Sequence, residues 1–237
     1  MILRRVIEHV RTQNWLAVGI DFLIVVVGVF IGIQLGNLNE AREARKTELE
    51  LIGRLTIEFE EIAAALDGTL EAVPRYLDAT GVLIEVARGD SEFAEERMKE
   101  AVYLSFNLGR PPLRSATYQQ LVASGDLKLL RDDETRSALT RYHQSVDQQN
   151  FLYPKTIDQL IRVPDFRDVP VRSAEERLEF LQGTESLSRI RYDLDALREA
   201  EGHLEGLYVL QLNLLRAARL QSDYAGAALN ELKGGER

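Results

Sequence analysis

Cysteine is absent from all 237 residues. That excludes disulfides, thiolate-held zinc, iron–sulfur clusters and thiol nucleophiles at once. Tryptophan occurs once, at Trp15, and aromatics make up only 7% of the chain. No segment of useful length alternates apolar and polar residues with the period of two that a half-buried strand requires. Positive charge is also short: the formal net charge is −9. Residues 1–39 hold Arg4, Arg5 and Arg11 against Glu8 and Asp21, so the remainder carries −10. An acidic remainder excludes nonspecific nucleic-acid binding, which needs clustered cations, and disfavours a body lying flat on anionic lipid.

Signatures of chemistry are missing as well. His9, His143 and His203 form no HExxH or comparable ligand pair, so each reads as a surface or core residue and no metal site is expected. No serine elbow, P-loop or dinucleotide fingerprint occurs, and no cofactor or catalytic residue is expected. Glu58, Glu60 and Glu61 read as a solvated face. Arg114, Tyr118 and the Ser124-Gly125-Asp126 turn are candidates for a pocket edge, although helix capping accounts for the turn. The expectation is a protein that is not an enzyme.

What the chain has is one long apolar run, Phe22 to Ile33. Twelve helical residues rise only about 18 Å, short of the roughly 30 Å hydrocarbon core of a bilayer. Extension from Leu16 to Leu35 supplies the length and encloses Asp21 and Gln34. Trp15 suits the lipid–water boundary. The run starts late for a signal peptide, and no small-x-small cleavage site follows it, so a retained signal anchor is expected. Residues 1–14 read as an amphipathic interfacial segment, 15–38 as a transmembrane helix and 39–237 as a helical ectodomain. By analogy with other signal anchors, the expected topology in a bacterial inner membrane is a cytoplasmic N-terminus and a periplasmic C-terminal domain.

Gly28, Gly32 and Gly36 form two overlapping GxxxG steps, a groove that admits a second helix. On a 100° wheel Asp21, Gly28 and Gly32 share one face with Asn14 and Asn39. This points to a homo-oligomer assembled through the span, with Asp21 toward the interface. An intramembrane carboxylate usually faces a partner or a cavity. Asp21 as a titratable group in a channel or ion-coupled component is therefore the alternative.

From Glu40 onward helical spacing dominates. Ile52, Leu55, Phe59, Ile62, Leu66 and Val73 form one seam that Pro74 should kink or end. Further helices are expected over Ser91–Leu108 and over Ser115–Ala123, the latter closed by Gly125. Another follows an Asp132/Asp133 cap and carries Leu139, Tyr142 and Val146 toward Tyr153-Pro154. Val163–Val171 reads as a loop and Ser173–Glu176 as a capping box. A last helix is expected from Thr184 to about Leu232, with Leu187, Ile190, Leu194, Leu197, Leu204, Tyr208 and Leu215 on its seam. Glu201 and Gln211 fall on that seam too, either partly exposed or bonded across it. The expected fold is all-α, an N-terminal transmembrane helix followed by an elongated antiparallel helical bundle.

The stretch Val25-Val26-Val27-Gly28-Val29-Phe30-Ile31-Gly32-Ile33-Gln34, with Asn37-Leu38-Asn39-Glu40, resembles the N-terminal signature of a bacterial domain-of-unknown-function family of small single-span membrane proteins. Thr117 to Leu127, with Leu130-Arg131-Asp132, resembles that family's second recurring stretch. Leu38 departs from the aromatic often found between the two asparagines. The resemblance implies the same layout of one span and a helical remainder, and it carries no activity. The expected function is a membrane-anchored, self-associating interaction or sensory module, with the lipid bilayer as one partner. A protein or small ligand on the ectodomain would be the other.

Overall fold

The computed structural model describes residues 15–161, 166–168, 187 and 190–235. The expected interfacial segment 1–14 and the capping box at Ser173–Glu176 lie outside the described residues. The described residues are mostly helical: α1 (Trp15–Arg88), α2 (Glu95–Leu104), α3 (Ala116–Ser124), α4 (Asp133–Ile161), α5 (Leu194–Glu199) and α6 (Glu201–Gly235). The strands β1 (Arg167–Asp168) and β2 (Arg191–Tyr192) pair antiparallel over two residues each. The chain divides into two compact units, Met1–Glu50 and Leu51–Arg237.

In the first unit the described residues are all α1. Nothing within it covers the apolar side chains: from Ile20 to Leu38 the large hydrophobics are 46–70% exposed. This helix is long and apolar enough to cross a membrane, with an 18-residue window of mean hydropathy 2.0 and no part of that window buried. The segment read as ending at residue 38 has no helical break there; α1 continues to Arg88.

The second unit packs its helices around several apolar clusters. Leu55, Phe59 and Ile62 of α1 meet Leu139, Tyr142 and Val146 of α4, and Ala225, Ala228 and Leu232 of α6 join them. The spacing of three and four that predicts the α1 seam is thus the spacing that buries it. A second cluster joins Leu83 and Ala79 of α1 to Met98 and Val102 of α2 and to Leu197 and Leu204.

Four expectations are corrected. Pro74 does not end its helix. Loss of the N–H and the ring clash cost about 3 kcal/mol in a helix interior. Val73 and Leu77, on either side, are both buried with Leu215, and this packing holds the helix through the proline. Pro154 likewise lies inside α4, where flanking Tyr153 and Ile157 pack on Leu108, Leu207 and Leu214. The helix expected over Ser91–Leu108 is shorter. It stops at Leu104 because the Asn107 amide donates to the Tyr103 and Leu104 carbonyls and takes up the helix's open end.

The fourth correction concerns the last helix, which is not continuous from Thr184. Residues 191–192 are extended in the β-pair, and the Asp193 carboxylate accepts from the N–H groups of Asp195 and Ala196. That cap starts α5, and α6 begins only after Ala200. Leu197 and Leu204 are fully buried as the seam requires, whereas Leu194 is 46% exposed because it sits in the first turn beside the cap. Tyr208 is 37% exposed.

Candidate functional site

Gly28, Gly32 and Gly36 all lie in α1, and no atom comes within 4 Å of a Cβ built at any of them. The groove they make is open along its length. Asp21 belongs to the same helix, but its side chain lies outside the described residues. Four-residue steps turn a helix by only about 40°, so the three glycines follow one side. Seven residues from Asp21 to Gly28 bring the helix back to nearly the same direction.

The second feature lies wholly within Leu51–Arg237 and centres on the start of α3. Ser115, expected as the first residue of that helix, is its N-cap, its hydroxyl accepting from the Tyr118 N–H at 3.0 Å. Gly125 closes it with φ +75, and the Asp126 N–H returns to the Leu121 carbonyl. Local sequence does not supply the rest of the cap. Glu58, 59 residues away on α1, accepts from the Thr117 hydroxyl at 2.6 Å and from the Thr117 N–H at 3.2 Å. Burial pushes the Glu58 carboxyl up, but the Ser115 and Thr117 hydroxyls and the Thr117 and Ala116 N–H groups outweigh it and hold the acid below its usual range. Glu58 therefore has a defined structural task, unlike Glu60, which pairs with Lys233 at the surface.

His143 approaches the same turn from α4 and is 6% exposed. Its Nδ1 lies 2.8 Å from the Leu139 carbonyl, which can only accept, so Nδ1 carries the proton. Nε2 then offers a lone pair to the Ser115 N–H at 3.3 Å. The ring stacks on Tyr118 with centroids 3.8 Å apart and meets the edges of Tyr142 and Phe59. Desolvation by burial holds the imidazole below its ordinary pKa; the Leu139 carbonyl, Asp147 and the Ser115 backbone pull the other way, and Arg114 adds to the depression. The phenols are also satisfied. Tyr142 donates to the Leu113 carbonyl at 2.8 Å, and Tyr118 donates to the Thr140 hydroxyl at 3.1 Å.

His143 has both nitrogens engaged, His203 is exposed, and among the described residues no three His, Asp or Glu side chains gather to hold a metal. Of the candidate pocket edge, Tyr118 is covered, Arg114 pairs with Asp147 at 2.7 Å, and the 124–126 turn closes a helix. A groove of about 540 Å³ lies elsewhere, along Ala64, Gly68, Ala72 and Tyr76 with Arg110 at its rim. The Ser115 and Gly125 caps are visible in the sequence. The Glu58 and His143 contacts have no local signal, because their partners are 59 and 28 residues distant. Compared with protein-family models, with curated proteins and with solved structures, the chain finds no match in any of the three.

Proposed function

We propose that the chain is a single-pass membrane protein of a bacterial inner membrane, self-associating through its span and presenting a helical bundle as an interaction or sensory module. One observation carries this reading: the apolar window of α1 is wholly uncovered. A core helix of a water-soluble domain would be buried, and this one leaves side chains from Phe22 to Leu38 about half or more exposed. Moving them from water into hydrocarbon is worth on the order of 10–25 kcal/mol, at about 1.5–3 kcal/mol per fully buried large apolar residue. That exceeds the whole folding stability of a typical domain and supports hydrocarbon as the solvent of this helix.

Self-association rests on the open Gly28, Gly32 and Gly36 face. In lipid the hydrophobic drive between helices vanishes, and close backbone approach over glycine gives dispersion its largest return. The same helix continues into the Leu51–Arg237 unit, so the anchor and the first helix of the bundle are covalently one element. The N-terminus is assigned to the cytoplasm and the bundle to the periplasm. The bundle is read as elongated and antiparallel, with a protein or small ligand as its partner.

Crosslinking of single cysteines placed along Val25 to Gly36, in this cysteine-free chain, tests the reading. Crosslinks should peak at positions 28 and 32 and be weak at Val26 and Ile33. A flat profile would reduce the span to an anchor. Replacing Asp21 with Asn should leave the profile unchanged if that residue is only part of the interface. A reporter active only in the periplasm, fused after Arg237, should be active; a silent one overturns the orientation.

A further inference from the structure

We infer that His143 is an acid-sensitive clasp: protonation of its Nε2 releases the N-terminal turn of α3 while the other apolar clusters of the domain stay packed. The argument is geometric. Nδ1 already donates to the Leu139 carbonyl, and Nε2 accepts from the Ser115 N–H at 3.3 Å. A proton on Nε2 sets one donor against another and places a charge among Phe59, Tyr118 and Tyr142. The clasp and the cap share residues. Ser115 supplies both the N–H held by His143 and the hydroxyl that caps α3, and Tyr118 is both the capped residue and the ring on which the imidazole stacks.

The charged surroundings do not cancel this. On α4 the nearest acid is Asp147, one turn on from His143, and it is occupied by Arg114 of the preceding loop at 2.7 Å. Asp147 and, more weakly, the Ser115 backbone favour the imidazolium and Arg114 opposes it, while desolvation is the largest influence and disfavours it. From α1 the facing acid is Glu58, whose oxygens are taken by Thr117. α3 itself carries no charged side chain from Ala116 to Ser124. Burial pushes the Tyr142 phenol up, so it stays a neutral donor.

The sign follows from linkage. A histidine held below its ordinary value leaves the closed turn fully stable above about pH 6.5 and weakens it as pH falls through the lowered value. Glu58, held low, stays ionised over the same interval. The clasp lies inside Leu51–Arg237, so the inference holds whichever side of a membrane that unit faces.

Hydrogen exchange followed by mass spectrometry on the full chain in detergent, at about pH 7.5 and about pH 5.5 with intrinsic rates corrected, provides the test. Protection of residues 113–126 should fall by up to about tenfold at the lower pH, the most that one unit below the unfolded value gives. Peptides from Leu204 to Leu215 should not change. His143→Phe keeps a ring against Tyr118 and removes the titration, so its protection ratio between the two pH values should be close to one. If that variant does not fold, the wild-type imidazole resonances decide instead: His143 should titrate below about 6.5, in step with loss of protection. The inference is overturned by equal wild-type protection at both pH values. It is overturned equally by the same fall in His143→Phe, or by an imidazole that titrates at or above its ordinary value.

Discussion

Replacing Gln211 with leucine tests whether a polar residue on an otherwise apolar seam stabilises the fold. Gln211 is fully buried in α6; its amide donates to the Ser105 carbonyl at 2.7 Å and the Asn107 carbonyl at 3.1 Å, and its oxygen accepts from the Thr80 hydroxyl at 2.8 Å. These contacts tie α6 to α1 and to the segment that follows α2. Leucine fits the volume and removes all three. Thr80 keeps the Tyr76 carbonyl as a partner, and Asn107 is exposed, so water can take its carbonyl. The Ser105 carbonyl is the group left stranded, with Thr80 at 3.4 Å as its only remaining contact. An unsatisfied buried acceptor costs about 1–3 kcal/mol, and the apolar gain of leucine offsets part of that. A net loss of about 1–2 kcal/mol should lower the unfolding midpoint by about 2–8 °C in a domain of this size. Circular dichroism of the full chain in detergent measures it. Gln211→Leu combined with Thr80→Val should cost less than the sum of the two single changes, since they remove the same bond. A midpoint unchanged or raised in Gln211→Leu would show that the node contributes specificity without stability, and would refute the reasoning.

Leu204→Ala should cost about 2–5 kcal/mol, whereas Leu194→Ala, at a half-exposed site in the first turn of α5, should stay within about 0.5–1 kcal/mol; equal losses in thermal unfolding would return Leu194 to the core. Glu58→Gln should cost about 0.5–2 kcal/mol near neutral pH through the weakened cap of α3. Because Glu58 is held below its ordinary value of 4.5, its contribution is complete above that pH and lost as pH falls through the lowered value. The variant should therefore flatten the acid side of a stability–pH profile, and an unaltered acid side would remove Glu58 from the cap.

The sequence by itself determined whatever depends on neighbours within about one turn. Three- and four-residue spacing marks the buried face of α1 from Ile52 to Leu66 and the Leu139, Tyr142 and Val146 face of α4. Ser115, Gly125 and Asp132 announce helix ends because their cap bonds reach only a few residues. The uncovered apolar run is visible because twelve consecutive apolar residues need no partner to be recognised. Only the tertiary structure decided whether a local signal would be obeyed. Pro74 reads as a kink or an end and Pro154 lies where a helix is expected to finish, yet helices run through both, with apolar clusters on either side outweighing the missing bonds. Leu194 fits the seam but sits where Asp193 starts a new helix, while Gln211 sits on the same seam and is buried by bonding to carbonyls more than a hundred residues earlier. The Glu58 and His143 hold on α3 was likewise out of reach of the sequence. Hydrogen bonds between groups 28 and 59 residues apart leave no periodicity, and burial supplies the low dielectric that makes them count.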